Sequence, residues 1–275
     1  MRRLFILLGI AGVLLVLWRK QAPPVGPTVR TGRAKGCDWK LVTDERGIQR
    51  EQLRGEVAGI LKHWEQVLST WRQDSDLCRH NRGEPASRDL RRVLDLAERL
   101  HRETGGAFDH RMLAQLARAG FGPGGTGADL SSVGKGFAVD RVCEFLQERG
   151  IRRHVFSLAG EVRAGEGEWP CRIESPTAEE TNPPFPLSHG AMATSGNYRQ
   201  WKAIKDGRLV SHILDPATGE PVLRPPCSVT VFGPDAAEAS GWATALFVLG
   251  PRGNALAEKS GLKVIWRGTP LTVSN

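Results

Sequence analysis

No two of the five cysteines, Cys37, Cys78, Cys143, Cys171 and Cys227, form a CxxC pair, so the usual zinc and dithiol redox motifs are excluded. A P-loop and a GxSxG elbow are missing as well, which removes two of the commonest nucleotide-binding and hydrolase signatures. There is no internal repeat and no low-complexity tract. In an exported protein one disulfide is conceivable, but cysteines so widely spaced are expected mostly as small buried hydrophobes.

What is present is an ordinary globular composition. The chain has 275 residues, 40% of them hydrophobic, enough for one large domain or two intimate ones with a sizeable core. The net charge of +8 would suit nucleic acid, an anionic membrane surface or phosphate-bearing ligands. Arginines such as Arg91, Arg92, Arg152 and Arg153 are scattered, which reads as a solvated basic surface and not as a nucleic-acid face. Residues 1–20 form a topogenic segment: Arg2 and Arg3, an apolar run from Leu4 to Trp18, then Arg19 and Lys20. The run is shorter than the ~20 residues of a normal span, and both an uncleaved signal-anchor and a signal peptide cleaved near Ala22 remain open. Positive charge ahead of the run would keep the N-terminus in the cytoplasm and send the body outside. The expected location is therefore a bacterial cell envelope, on the extracytoplasmic side.

Residues 21–35, with APPVGP, have the composition of a linker, and residues 36–275 are expected to form the globular body. A strand is expected at 37–44. A long helix from Gln52 to about Trp71 would bury Leu53, Val57, Ile60, Leu61, Trp64 and Val67 along one stripe. A second helix spans 87–106, capped by Ser87 and stopped by Gly105. A helix from about Phe137 to Arg149 precedes a strand pair at 154–157 and 161–164. Short strands near 171–175, 190–194, 199–204 and 209–214 come next, then a strand at 228–232, a helix over 236–248, and a last helix and strand reaching Trp266. Helices and hairpins mix without a βα rhythm, which indicates an α+β fold.

Three stretches carry chemistry. In DLSSVGKGFAVD, 129–140, Asp129 opens a run of small residues ahead of the helix expected from Phe137, with Lys135 set among glycines. Amides at a helix start attract phosphate, glycine permits close approach, and Lys135 adds a fixed charge. A glycine-rich helix entry can equally be only a turn. SHILDPATGEPV, 211–222, combines His212 with an Asp215-Pro-x-Thr-Gly turn of Asx type. The third stretch is ATALFVLG, 243–250.

In this order and spacing the three stretches resemble the ApbE family, the FAD:protein FMN transferases. The likeness extends over nearly all of residues 35–270, through LSTWRQDSDLCRHN, TGGAFD, FGPG, ATSG and NYRQW. It implies an ApbE-like, T-fold-related body of mixed sheets with packed helices, preceded by the N-terminal hydrophobic helix. It also implies FAD as substrate and Mg²⁺ as cofactor. Trp71 stands where the family stacks an aromatic on the flavin system, Ala107, Phe108 and Asp109 match a flavin-nucleotide contact segment, and Asp129 and Lys135 take positions that contact FAD. His212 would lie near the diphosphate, either assisting proton transfer or as a structural residue, with Ile213 by the flavin. Ser195 of ATSG is expected as a structural hydrogen bonder. KGCDW puts Lys35 where the family has methionine.

The resemblance further implies a metal site made by Ser132 and by the family pattern A-D-A-L-x-T-A. Here that frame reads Ala239, Ser240, Gly241, Trp242, Ala243, Thr244, Ala245. Thr244 is kept, but the carboxylate position is Ser240, and Glu238 lies on another face of the helix. Mg²⁺ is ordinarily held by one or two carboxylates with substrate phosphates, so the exchange should weaken binding. The implied reaction moves FMN from FAD to a threonine or serine hydroxyl of an acceptor protein, a subunit of a membrane redox complex, and releases AMP. An FAD pyrophosphatase, or an FAD-binding protein silenced by Ser240, remains open at this point.

Overall fold

A computed structural model describes residues 27–34, 36–44, 50–176, 182–199, 201–203 and 209–268. The apolar run at 4–18, the cleavage region at Ala22 and Lys35 lie outside them. In chain order the elements are β1 (Thr28–Ala34), β2 (Cys37–Thr43), α1 (Arg50–Leu68), α2 (Asp76–Asn81), α3 (Arg88–Glu103), α4 (Leu113–Arg118) and α5 (Ser131–Glu148). Then come β3 (His154–Leu158), β4 (Glu161–Ala164), β5 (Trp169–Cys171), β6 (Phe185–Leu187), β7 (Gly190–Gly196), β8 (Trp201–Ala203), β9 (Leu209–Ser211) and β10 (Cys227–Gly233). The chain closes with α6 (Ala236–Leu249), a short 3₁₀ turn, α7 (Asn254–Lys259) and β11 (Lys263–Gly268).

Seven strands form one sheet in the order β1-β2-β3-β4-β7-β10-β11, antiparallel at every pairing. The α+β class expected from the sequence holds. One sheet face is covered by α5 and α6, with α1 and α3 packed outside them. Trp39, Leu41, Phe156, Leu158, Val229 and Val231 meet the helices there. On the other side β5 and β6 form a hairpin whose Trp169 and Leu187 cover Ala164 and Met192. α6 is apolar all round because the sheet lies on one side of it and α3 and α5 on the others. Its small residues allow close approach: a side chain on Gly136 of α5 would come within 2.7 Å of Ala237 Cα.

Two expectations require correction. The segment expected as linker contributes β1, residues 28–34, a polar, largely exposed edge strand paired along its whole length with β2. Helix α5 begins at Ser131, six residues before the expected Phe137. Ser132, Gly134, Lys135 and Gly136 therefore lie on helix and not in a loop ahead of one. Their glycines are interior packing positions: Gly134 and Gly136 are buried, and Gly136 is the contact with α6. Ser87 caps α3 as expected, accepting from Leu90 N at 3.1 Å, and Gly105 follows its end at φ 62°. All five cysteines are free, and Cys78, Cys143 and Cys227 are buried. Among the described residues no helix is long and apolar enough to cross a membrane.

Candidate active site

The site is built where α5, α6 and β4 converge. Side chains on a strand repeat every two residues and those on a helix every turn, so β4 presents Glu161 and Arg163 toward α5. Glu161 meets Lys135 Nζ at 3.0 Å, and Arg163 meets Asp140 Oδ1 at 2.7 Å. Two steps along a strand span about 6.7 Å and five residues of helix about 7.5 Å, so the two ion pairs match in pitch. Asp140 also caps α6, which has no side-chain cap of its own from Asp235. Its two oxygens accept from Ala236 N and Ala237 N, each at 2.9 Å. The last aspartate of the 129–140 motif is thus the bracket that fixes α6 against α5.

Held in this way, α6 delivers Ser240 and Thr244 to the start of α5. Ser240 Oγ donates to Ser132 O at 2.5 Å and lies 3.3 Å from Glu161 Oε1. Thr244 Oγ1 donates to Ser240 O at 3.1 Å and reaches Ser195 Oγ at 3.4 Å. The three positions expected to hold a metal, Ser132, Ser240 and Thr244, are therefore brought together. Glu238 is engaged elsewhere, by Arg99 of α3 at 3.1 Å. Among the described residues no three His, Cys, Asp or Glu side chains cluster as metal ligands. The donors here are hydroxyls, a carbonyl and one carboxylate, an all-oxygen set of the kind that suits a hard cation such as Mg²⁺.

Glu161 was not foreseen. It is 3% exposed, and its Oε2 is buried without a hydrogen-bond partner. A signal existed: in the turn-bounded strand 161–164 two charged residues, Glu161 and Arg163, occupy the face that should be apolar if helices cover it. Burial alone would push the Lys135 ammonium down, but the Glu161 carboxylate more than offsets this, and its pKa lies above the ordinary lysine value. Lys135 is a fixed cation. His212 is affected in the opposite sense: burial, helped by the charge of Lys135, pushes its pKa down to about 4. It is neutral near pH 7, stands edge-on to Phe121 at 6.2 Å, and its Nδ1 is buried with no hydrogen-bond partner.

The residues expected to contact the flavin nucleotide lie on a second, linked set of loops. Trp71 sits between α1 and α2 with 68% of its surface open, on a turn pinned by Ser69 Oγ, which accepts from Trp71 N and Arg72 N. Asn81 at the end of α2 accepts from Ala128 N and donates to Ala128 O. The next residue, Asp129, donates from its amide to His110 O at 2.7 Å and accepts from Ser131 N at 2.9 Å, which ties segment 107–110 to the start of α5. In that segment Phe108 is buried in the core, its carbonyl meets His101 Nδ1 at 2.9 Å and its amide donates to Thr104 Oγ1 at 3.0 Å, so its ring is core packing. The burial of Asp109 would raise its pKa, but Arg111 at 2.9 Å and His101 nearby hold it below the ordinary value. Ala107 and Ile213 are buried as well. The Asp215 turn forms as expected, with Oδ1 accepting from Ala217 N at 2.9 Å.

Comparison with known proteins agrees with this arrangement. The model of the ApbE family matches residues 36–128 and 123–266. A protein of Klebsiella pneumoniae described as FAD:protein FMN transferase is 31% identical over 88% of this chain and 85% of its own length. One of the same description from Vibrio cholerae is 32% identical over 94% of this chain and 92% of its own length. Among solved structures, the flavin transferase ApbE of Vibrio cholerae superposes with a TM-score of 0.76 at 28% identity, covering 87% of this chain and 93% of that one. The Pseudomonas stutzeri flavinyl transferase ApbE in its apo form gives 0.76 at 30% identity, covering 86% and 90%. With a family model matched over most of its length, on the elements that build the site, this chain belongs to the ApbE family.

Proposed function

We propose that this chain transfers FMN from FAD to a threonine or serine hydroxyl of an acceptor protein. The acceptor oxygen forms a bond to the FMN phosphorus, the bond to the AMP phosphate breaks, and AMP leaves. The observation that carries the reading is that Lys135 is joined through Glu161 to Ser240, whose hydroxyl reaches Ser132 O and whose carbonyl accepts from Thr244, between α5 and α6. Catalysis of this kind depends on positioning and charge neutralisation. Lys135 would neutralise part of the diphosphate. Neutral His212, with its Nδ1 unpartnered, would take the proton of the attacking hydroxyl. Asp129 and segment 107–109 would position the nucleotide, and Trp71 would offer a flat face to a ring. Mg²⁺ would be held at Ser132, Ser240 and Thr244, and when bound it supplies positive charge to the diphosphate.

One observation favours a second reading. The hydroxyl of Ser240 donates to the Ser132 carbonyl and so occupies an oxygen that an ion would use, as in an FAD-binding protein with little or no transfer. The deciding experiment incubates the chain with FAD, Mg²⁺ and a flavin-acceptor domain, and reads covalent flavin as fluorescence in a denaturing gel. A metal-dependent band establishes transfer. FAD binding without a band supports the silent form, and release of FMN and AMP without acceptor indicates a pyrophosphatase. The apolar segment before the body supports placement at the envelope membrane, facing acceptor subunits of a membrane redox complex. Protease protection in membrane vesicles tests that placement.

A further inference from the structure

Glu161 does two things that a structural counterion need not do. It is 3% exposed in a protein interior, where an ionised carboxylate is tolerated only with its oxygens satisfied. Yet Oε2 has no partner, while Oε1 is shared between Lys135 Nζ at 3.0 Å and Ser240 Oγ at 3.3 Å. From Ser240 a run of neutral oxygens leads on to Ser132, Thr244 and Ser195, linked one to the next.

We propose that Glu161 is the carboxylate of the divalent-cation site, reaching from β4 to the place where α6 carries only the hydroxyl of Ser240. The inference rests on the transferase reading and adds a residue to it. Lys135 and Glu161 neutralise each other when the site is empty of phosphate. A diphosphate draws Lys135 to itself and would strand Glu161, and a buried carboxylate left without a cation is strongly unfavourable. A divalent cation on the free oxygen of Glu161 removes that cost. Cation and diphosphate therefore bind cooperatively, with Glu161 exchanging one positive partner for another.

The test uses Mn²⁺ as probe on the full chain, with the free-ion electron paramagnetic resonance signal titrated with and without FAD. Wild type is expected to bind Mn²⁺ more tightly with FAD present. Glu161→Gln, which keeps the volume, is expected to weaken Mn²⁺ binding at least about tenfold, the scale at which even outer-shell changes act. Adding Ser240→Asp to that variant should restore it. Equal Mn²⁺ affinity in wild type and Glu161→Gln overturns the proposal and leaves Glu161 as the counterion of Lys135. Should Glu161→Gln fail to fold, Ser240→Asp alone decides: tighter Mn²⁺ binding, with a lower Tm in metal-free protein from two adjacent carboxylates, supports it, and unchanged affinity overturns it. Flavin transfer followed in parallel separates the two claims. Transfer that persists while Glu161→Gln leaves Mn²⁺ affinity unchanged refutes the Glu161 assignment alone, and Mn²⁺ held through Glu161 without any transfer refutes the transferase reading alone.

Discussion

Trp71 turns 68% of a large apolar side chain to solvent on a loop fixed by Ser69. Replacing it by alanine is expected to shift stability by less than about 0.5 kcal/mol, as at other surface positions. FAD affinity should fall by about 1 kcal/mol, roughly fivefold. Isothermal titration with FAD beside a thermal melt checks both. Lys135→Ala has a different signature: it removes the charge proposed to meet the diphosphate and leaves the buried Glu161 without its ion-pair partner. Loss of FAD binding together with a lower Tm is expected, and a fall in neither would remove Lys135 from the site. The legibility of individual residues divides along the same line. Lys135, His212 and Thr244 stood out in the sequence because each sits in a motif of several specific residues. Glu161 did not, because the two charges on one face of β4 gain their meaning only once that face is known to lie under the helices.

Between elements, Asp140 gathers α5, β4 and α6 through Arg163 and two backbone amides. Asp140→Ala should cost about 3 kcal/mol, the lower range for breaking a buried ion pair, read as a shift in the urea midpoint with an unchanged slope. Because α6 carries Ser240 and Thr244, FMN transfer should fall in the same variant even well below its melting temperature. Gly136→Val would drive side-chain atoms into the Ala236 carbonyl and the Ala237 backbone. It is expected to destabilise more than the same change at Gly59 of α1, where nothing stands within 4 Å of an added Cβ. The long amphipathic helices α1 and α3 were legible from their period alone. The start of α5 was hidden because serines and glycines that suit a turn are used there for close helix packing. β1 was hidden because TVRTGRA is polar at most positions; an edge strand needs its hydrogen-bond partner more than its own side chains.

For the whole molecule, acid is the informative perturbation. His212 has its pKa pushed from 6.5 to about 4 by burial and the charge of Lys135. A folded-state value below the unfolded one means that the unfolded chain binds the proton first, so stability falls as pH drops from about 6.5 toward 4. The loss attributable to His212 reaches about 3 kcal/mol. Urea unfolding at pH 7 and at pH 4.5 should show it, and His212→Gln should flatten that part of the profile. The contacts that make the site share one further property: the chain distances they close. Ser240 meets Ser132 across 108 residues and Glu161 across 79, while Asp140 caps α6 across 96. Such closures are slow to form, because the entropy of the intervening loop is lost before the contact returns anything. A chain emerging from the ribosome would therefore carry its basic surface and most of its sheet before it carried any place for FAD, and flavin would first be held only after residues beyond Leu249 had been made.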